Sequence, residues 1–215
     1  MRINVLCEAA EDLRFLLSRG YNRETVLKTI GDRYQLDKVE RHIIYRAVYP
    51  DSIVEQVVKK TVTISQLPDK ELAIDGFNQL ITLESILKGE IIILCDDGFI
   101  RDVSAVFEKF KATETTFKAL NLIFKALSAN PPKKTYFYLD SPISKSGKLA
   151  ALITDYFEKY GVTGEAAAIK NVDEELVSKD VVASSDHIII SRARQVIDLP
   201  KLFLNLYTSQ VISFK

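Results

Sequence analysis

Apolar residues in the first part of the chain recur at steps of three and four, which is the spacing of an amphipathic helix. Within residues 4–18, Leu6, Leu13 and Leu17 follow this spacing, and Gly20 then favours the end of a helix. Similar stretches predict further helices over residues 23–33, 37–48 and 52–59. The pattern therefore predicts a small all-helical module over residues 1–60.

A junction at residues 61–70 separates this pattern from a second one, and its alternating start is typical of a linker or a short edge strand. From residue 71 onward, short apolar runs alternate with helical stretches. The runs lie at residues 72–74, 91–94, 136–139, 166–169, 181–183 and 196–197, and the helical stretches at 78–88, 114–128, 146–160, 173–178 and 187–194. Apolar strands separated by helices predict an α/β domain over residues 71–215, with a mostly parallel sheet covered by helices on both faces.

The overall charge argues against a protein that binds nucleic acid with its whole surface. The 215 residues contain 29 Lys and Arg and 29 Asp and Glu, so the formal net charge is zero. The predicted helical module nevertheless carries several arginines. These can form a phosphate-binding surface or a solvated helix surface with acidic partners, and the sequence leaves both open. They are Arg14, Arg19, Arg23, Arg33, Arg41 and Arg46.

Several classes of protein lack support in the sequence. The two cysteines, Cys7 and Cys95, form no CxxC motif, so we expect buried reduced thiols. The first residues do not resemble a signal peptide, and no apolar run approaches the roughly 18 residues of a membrane span, so we expect a cytoplasmic protein without a membrane partner. GxSxG, GxGxxG and Walker A motifs are absent, which argues against serine hydrolases, Rossmann cofactors and P-loop enzymes.

Aspartates follow four of the predicted strands. The carboxyl ends of parallel strands meet at one edge of a sheet, where open α/β folds bind their ligands. Carboxylates gathered there repel one another, and a hard cation such as Mg²⁺ or Mn²⁺ removes this repulsion. Helix capping is the alternative role for each of them. The predicted metal ligands are Asp75, Asp97, Asp140, Asp173 and Asp186.

Other polar residues lie in the loops at this predicted edge. Asn78 follows Gly76, which permits an unusual backbone angle, and its side chain can orient a metal-bound water, contact a phosphate or cap a helix. Ser144 and Lys145 precede a predicted helix, and hydroxyls, a lysine and a helix N-terminus suit a phosphate. Arg192 follows a further strand and can reach the rim of the same edge.

These residues resemble a known fold family. The run Ile-Asp-Gly-Phe-Asn at 74–78, Leu-Asp at 139–140, Asp173 and Ser-Ser-Asp at 184–186 resemble the acidic framework of the PIN-like (NYN-type) nuclease fold. Together with the segments 97–102 and 141–147, they resemble an uncharacterised, largely archaeal family in which a helical N-terminal domain is fused to a PIN-like domain. This resemblance covers nearly the whole chain.

The resemblance implies metal-dependent cleavage of RNA, with ribosomal or transfer RNA as candidate substrates. Asp75, Asp140 and Asp186, with Asp173 in support, would hold Mg²⁺ or Mn²⁺, which would activate a water for attack on a phosphodiester. Asn78 would belong to the same catalytic set. Lys145, Ser144, Arg101 or Arg192 would contact the phosphate.

One departure from the resemblance leaves alternatives open. Ile188 stands two positions beyond the Ser-Asp pair, where active nucleases of this fold often carry an acidic residue. A non-catalytic RNA- or ribosome-associated binding protein is therefore the first alternative, and a phosphotransferase or phosphohydrolase with a small substrate is the second. The sequence also leaves a homodimer open.

Overall fold

A computed structural model describes residues 1–103 and 110–214 of the protein. Its N-terminal region contains four helices, in close agreement with the pattern of the sequence. They are α1 (Ile3–Ser18), α2 (Arg23–Arg33), α3 (Lys38–Ala47) and α4 (Asp51–Lys60). The Asn22 side chain caps α2 by accepting a hydrogen bond from the backbone N–H of Thr25 at 3.0 Å, and Asp37 and Glu40 form a capping box on α3.

The centre of the second region is a five-stranded sheet whose neighbouring strands are all parallel. Its strands are β1 (Glu71–Asp75), β4 (Lys134–Asp140), β5 (Gly164–Ile169), β6 (Val181–Ala183) and β7 (Gln195–Ile197), in the spatial order β5-β4-β1-β6-β7. The helices that connect or cover the strands are α5 (Gly76–Leu87), α6 (Glu114–Ala129), α7 (Ser146–Tyr160), α8 (Val172–Val177) and α9 (His187–Arg192). The predicted α/β fold with a parallel sheet is confirmed.

Both faces of the five-stranded sheet are buried, as the continuous apolar strands predicted. Successive side chains of a strand point to opposite faces. Leu72 and Ile74 of β1 pack in one cluster with residues of α5, α6 and α7. Ala73, between them, packs in another cluster with residues of α8 and α9. The sheet therefore has α5, α6 and α7 on one face and α8 and α9 on the other.

The strand predicted at residues 91–94 does not belong to this sheet, which corrects the expectation of a single sheet. It forms β2 (Ile92–Leu94) in a separate three-stranded sheet, antiparallel to β3 (Ile100–Asp102) and parallel to β8 (Val211–Ser213). Strands β3 and β8 were not predicted, because each has only three residues and mixes apolar with polar side chains. Because β2 lies in the three-stranded sheet, Asp97 follows a strand of a different sheet from the one that carries Asp75 and Asp140.

The N-terminal helices and the three-stranded sheet share one apolar core. Leu6 of α1 and Ile44 of α3 are in the same buried cluster as Ile93 of β2 and Ile212 of β8. The junction at 61–70 contains a single bridge between Thr61 and Val196 of β7, followed by a 3₁₀ turn at Ile64–Gln66, so only the start of the suggested edge strand forms. A second 3₁₀ segment spans Pro200–Leu206.

Two further expectations concern the cysteines and the membrane. Cys95 is buried, as predicted, whereas Cys7 is only half-buried, and both thiols are free of disulfides. In residues 1–103 and 110–214, every helix is too short or too polar to cross a bilayer.

Candidate acidic site at the sheet edge

Asp75 ends the central strand β1 and is almost completely buried, with 7% of its surface exposed. Its Oδ2 accepts a hydrogen bond of 2.7 Å from the Ser184 hydroxyl, which follows the neighbouring strand β6. Ser184 is itself buried, and its Oγ also accepts a hydrogen bond from the backbone N–H of Asp186 at 3.1 Å. The Ser184 hydroxyl therefore fixes the position of the Asp75 carboxyl and of the loop that carries Asp186.

Asn78 lies in the first turn of α5 and also holds the Ser184–Asp186 loop in place. Its Oδ1 accepts hydrogen bonds from the backbone N–H of Ser185 at 2.9 Å and from the Ser185 hydroxyl at 3.1 Å. Because α5 begins at Gly76, the alternative that Asn78 caps this helix is wrong. Its oxygen is already shared by Ser185 and by the Gln79 amide, at 2.8 Å. Asn78 thus positions the loop beside Asp75.

Gly76 is required for a reason that differs from the expected one. A Cβ at this position would lie 2.6 Å from the Leu139 side chain and 2.6 Å from the backbone oxygen of Tyr138. Its backbone does not adopt the left-handed conformation that Gly20 and Gly98 adopt. The expectation of an unusual backbone angle at Gly76 is therefore wrong, and the glycine instead allows the start of α5 to approach β4 closely.

Three further predicted carboxylates lie at the same edge. Asp140 ends β4, which is parallel to β1 and pairs Tyr138 with Asp75. Asp173 is exposed in the first turn of α8, and Asp186 caps α9 by accepting from the backbone N–H of Ile188 at 2.7 Å. Asp75 is paired with Tyr138, and Asp140 follows Tyr138 by two residues, so the three side chains point to the same face of the sheet. This is the face that α8 and α9 cover.

Electrostatic interactions link these carboxylates. Burial, together with the charges of Asp140 and Asp186, raises the pKa of Asp75 to about 7, against the opposing effect of the Ser184 hydrogen bond. Burial and the charge of Asp173 likewise raise the pKa of Asp140. The site therefore contains an acid whose neutral form is favoured by its surroundings, and a cation nearby would favour its charged form.

The fit of a metal ion depends on how many ligands the protein must supply. Within residues 1–103 and 110–214, no three side chains of His, Cys, Asp or Glu are close enough together to hold a metal ion by themselves. Mg²⁺, however, commonly binds one or two carboxylates and completes its shell with waters and substrate phosphates. The oxygen donors of Asp75 and its neighbours fit Mg²⁺ or Mn²⁺ in this mode.

Asp97 and Arg101 do not take the predicted roles of metal ligand and phosphate contact. Both are buried and form a bidentate ion pair, in which the guanidinium lies 2.9 and 2.6 Å from the two carboxylate oxygens. Arg101 also donates a 2.8 Å hydrogen bond to the backbone oxygen of Ser185. Arg101 lies in β3 and Asp97 in the turn before it, and the pair supports the Ser184–Asp186 loop through this hydrogen bond, so both residues are positioning residues.

The predicted phosphate contacts separate into two groups. Arg192 is exposed, and its Nη2 donates to both carboxylate oxygens of Glu174 in α8 at 2.8 Å, so its charge already faces an acidic partner. Ser144 and Lys145 are exposed in the loop between Asp140 and α7, and they line a pocket of about 620 Å³. The role of the 140–147 loop as a phosphate contact stays a prediction.

The arginines of the helical region mostly hold the protein together. Arg14 contacts the buried Asp96 at 2.7 and 2.9 Å, and Arg41 contacts Asp32 at 2.8 Å. Arg23 donates to the backbone oxygens of Tyr45 and Val48. These contacts favour the alternative of a helix surface with internal partners over a dedicated phosphate-binding face.

Two parts of this edge were not predicted from the sequence. The positioning role of Ser184 and Ser185 was not recognised, although their place directly before Asp186 was a usable signal. The pocket wall formed by Phe77 and Phe110, whose rings meet edge to face at 5.0 Å, had no signal in the sequence, because the two residues are far apart in the chain.

Comparison with known proteins gives two matching family models. Residues 64–202 match the family described as a domain of unknown function (DUF5616), and residues 5–60 match a family described as a protein of unknown function (DUF434). An uncharacterised protein of Methanocaldococcus jannaschii is 37% identical over 194 residues, which cover 89% of this chain and 93% of that protein. A search of solved structures gives no match. The chain therefore belongs to the DUF5616 family and shares its two-part organisation with an archaeal relative.

Proposed function

We propose that the carboxylates at the edge of the parallel sheet bind Mg²⁺ or Mn²⁺ and that the protein cleaves RNA there. The observation that carries this proposal is that Asp75 and Asp140 end adjacent parallel strands and that the charges of Asp140 and Asp186 act on the buried Asp75 carboxyl. The buried Asp97 is neutralised by Arg101, whereas the buried Asp75 lies near two other acids and forms no ion pair with the residues that the structure describes. The resemblance of these residues to the PIN-like acidic framework supports the same conclusion.

Each residue of the acidic site has a defined part in this proposal. Asp75 and Asp140 would hold the cation together with waters and the substrate phosphate. Asp186 would bind one of those waters through Oδ2, since its Oδ1 accepts the two backbone N–H groups of the α9 cap. Bound there, the cation supplies Lewis-acid stabilisation and an activated water for attack on phosphorus. The Ser184 hydroxyl orients Asp75, and Asn78 keeps the neighbouring loop in place.

The phosphate itself would be held by the loop after β4. Lys145 carries a positive charge at the start of α7, where the free N–H groups of the first helical turn favour an anion. The backbone of Lys145 is left-handed, with φ at 67°, which turns the chain sharply into the helix. Ser144 adds a hydroxyl to the same loop. The loop therefore complements the acidic residues with the charge that a phosphodiester requires.

The pocket beside this loop supports a second candidate function. A pocket of about 620 Å³ is large enough to bury a small ligand, and its lining includes Ser144 and Lys145. A phosphotransferase or phosphohydrolase that acts on a small phosphorylated substrate would use the same carboxylates. Activity on a small phosphate ester without activity on RNA would favour this candidate.

The test is a cleavage assay with single-stranded and structured RNA in Mg²⁺, in Mn²⁺ and in EDTA. The Asp75→Asn/Asp186→Asn double variant removes two of the carboxylates, and Asp155→Asn, an exposed position on α7, serves as the matched control. We expect metal-dependent cleavage by the wild type and by the control, and its loss in the double variant. Cleavage that persists in the double variant or in EDTA would contradict the proposal. Retention of RNA without cleavage would instead favour a non-catalytic binding protein.

A further inference from the structure

The pocket of about 620 Å³ has an apolar wall that the proposed chemistry does not use. Phe77, Phe110, Leu149 and Leu152 form this wall. Phe77 and Leu149 are buried in the main core, whereas Phe110 and Leu152 are only partly buried against it. The wall is therefore a firm surface of the core with two more accessible side chains at its margin.

The other side of the same pocket is positively charged. Lys111, Lys145 and Lys148 line it together with Ser144, and the lining residues that the structure describes include no acidic side chain. In the described parts of the chain, none of these three lysines forms an ion pair, whereas Lys118 and Lys134 each pair with a glutamate. The pocket thus joins an aromatic surface to three lysine side chains.

The pocket lies at the same edge of the sheet as the acidic site but on the other face. Phe77 follows Asp75 by two residues in the first turn of α5, and Ser144 follows Asp140 in the loop before α7. Helices α5 and α7 cover one face of the sheet, and the carboxylates of Asp75 and Asp140 lie toward the other. A ligand that reaches both sites must cross the edge of the sheet, as an extended chain can.

We propose that this pocket binds one unstacked nucleobase of single-stranded RNA, with the phosphate of that nucleotide on the lysines. The inference rests on the proposed function and defines its substrate class. A nucleobase combines a flat ring, which aromatic side chains bind by stacking, with an attached anion, which the lysines complement. The bases of a duplex are stacked and paired, so a duplex cannot supply this group without being opened. The protein therefore selects unpaired nucleotides.

The binding experiment is carried out in EDTA, so that its result does not depend on cleavage. Binding of a short labelled single-stranded RNA is compared with that of its duplex by fluorescence anisotropy. Binding of AMP is compared with that of ribose 5-phosphate by calorimetry, which separates the base from the phosphate. We expect the single strand to bind more tightly than the duplex, and AMP more tightly than ribose 5-phosphate.

Variants assign these differences to the two sides of the pocket. Phe110→Ala removes an aromatic stacking partner and should weaken the binding of AMP and of single-stranded RNA by roughly 5- to 150-fold. It should not change the binding of ribose 5-phosphate. Phe110→Tyr keeps the ring and should retain binding. Lys148→Gln should weaken the binding of AMP and of ribose 5-phosphate to the same extent. Lys133→Gln, an exposed position before β4 at the opposite edge of the sheet, should change neither.

The outcomes distinguish this inference from the proposed function. Equal binding of AMP and ribose 5-phosphate, equal binding of duplex and single strand, or an unchanged affinity in Phe110→Ala would overturn the nucleobase pocket. Tight binding of AMP together with weak binding of the RNA strand would show a site for free nucleotides and would also overturn it. Base-dependent binding of RNA without metal-dependent cleavage would support the pocket and contradict the nuclease activity alone.

Discussion

Replacement of Asp75 by asparagine tests whether this carboxyl is buried among other acids. In the folded protein the pKa of Asp75 is about 7, compared with an ordinary value of 3.8. Between these two values the folded state binds more protons than the unfolded state, so the stability contributed by this group falls as the pH rises from about 4 to 7. Each pH unit of this interval corresponds to about 1.4 kcal/mol.

The magnitude follows from this interval. At pH 8 the ionised Asp75 destabilises the folded state by about 4 kcal/mol relative to a neutral side chain. An asparagine keeps an oxygen for the Ser184 hydroxyl but adds a buried amide donor, which offsets about 1 kcal/mol. We therefore expect Asp75→Asn to be more stable than the wild type by about 2–4 kcal/mol at pH 8. The advantage should shrink by more than half at pH 5.

Urea denaturation in EDTA between pH 5 and pH 8 measures this difference without a bound cation. Asp155→Asn is the matched control, because Asp155 is exposed on α7 and its variant should track the wild type at every pH. A variant at position 75 that is less stable than the wild type at pH 8, or a difference that does not change with pH, would refute the burial and charge argument for Asp75.

Other variants test the packing and the supports of the site by urea denaturation. Gly76→Ala should destabilise the fold by about 1–3 kcal/mol through overpacking against β4. Gly147→Ala is the control and should not destabilise it, because its Cβ would meet no atom within 4 Å. Equal stability of the two variants would contradict the close approach of α5 to β4. Arg101→Met should lower the free energy of unfolding by about 3–5 kcal/mol, because it leaves the buried Asp97 unpaired. Arg192→Met removes an exposed pair and should lower it by less than about 1 kcal/mol. Similar losses in the two variants would show that the Arg101–Asp97 pair is not buried. Asn78→Ala should cost about 1–3 kcal/mol and slow RNA cleavage, and full activity would contradict its positioning role.

The strand and helix pattern of the α/β region was predictable because its strands are buried on both faces. Runs such as 136–139 are continuously apolar, and a parallel sheet requires that burial. The same reasoning failed for the run at 91–94, because an apolar run indicates burial but not which strand is its neighbour. The partners of β2 are two three-residue strands, and one of them comes from the end of the chain.

The carboxylates of the site were predictable, whereas their supports were not. A strand that ends in aspartate places that residue at the edge of a parallel sheet, and this argument located Asp75 and Asp140. Hydrogen-bond partners depend on the approach of distant segments. Asn78 meets Ser185 across more than one hundred residues of sequence, and Arg101 was assigned to a phosphate although its partner Asp97 lies only four residues away. The spacing alone could not show that the pair is buried.

The binding of Mn²⁺ to the purified protein tests the central claim of the account most directly. The loss of the electron paramagnetic resonance signal of free aqueous Mn²⁺ gives the number of bound ions and their affinity. We expect a site in the wild type and in Asp155→Asn that is lost in the Asp75→Asn/Asp140→Asn double variant, because these two carboxylates end adjacent strands and share the cation. Binding of the same number of ions with the same affinity in the double variant would contradict a metal site at the edge of this sheet.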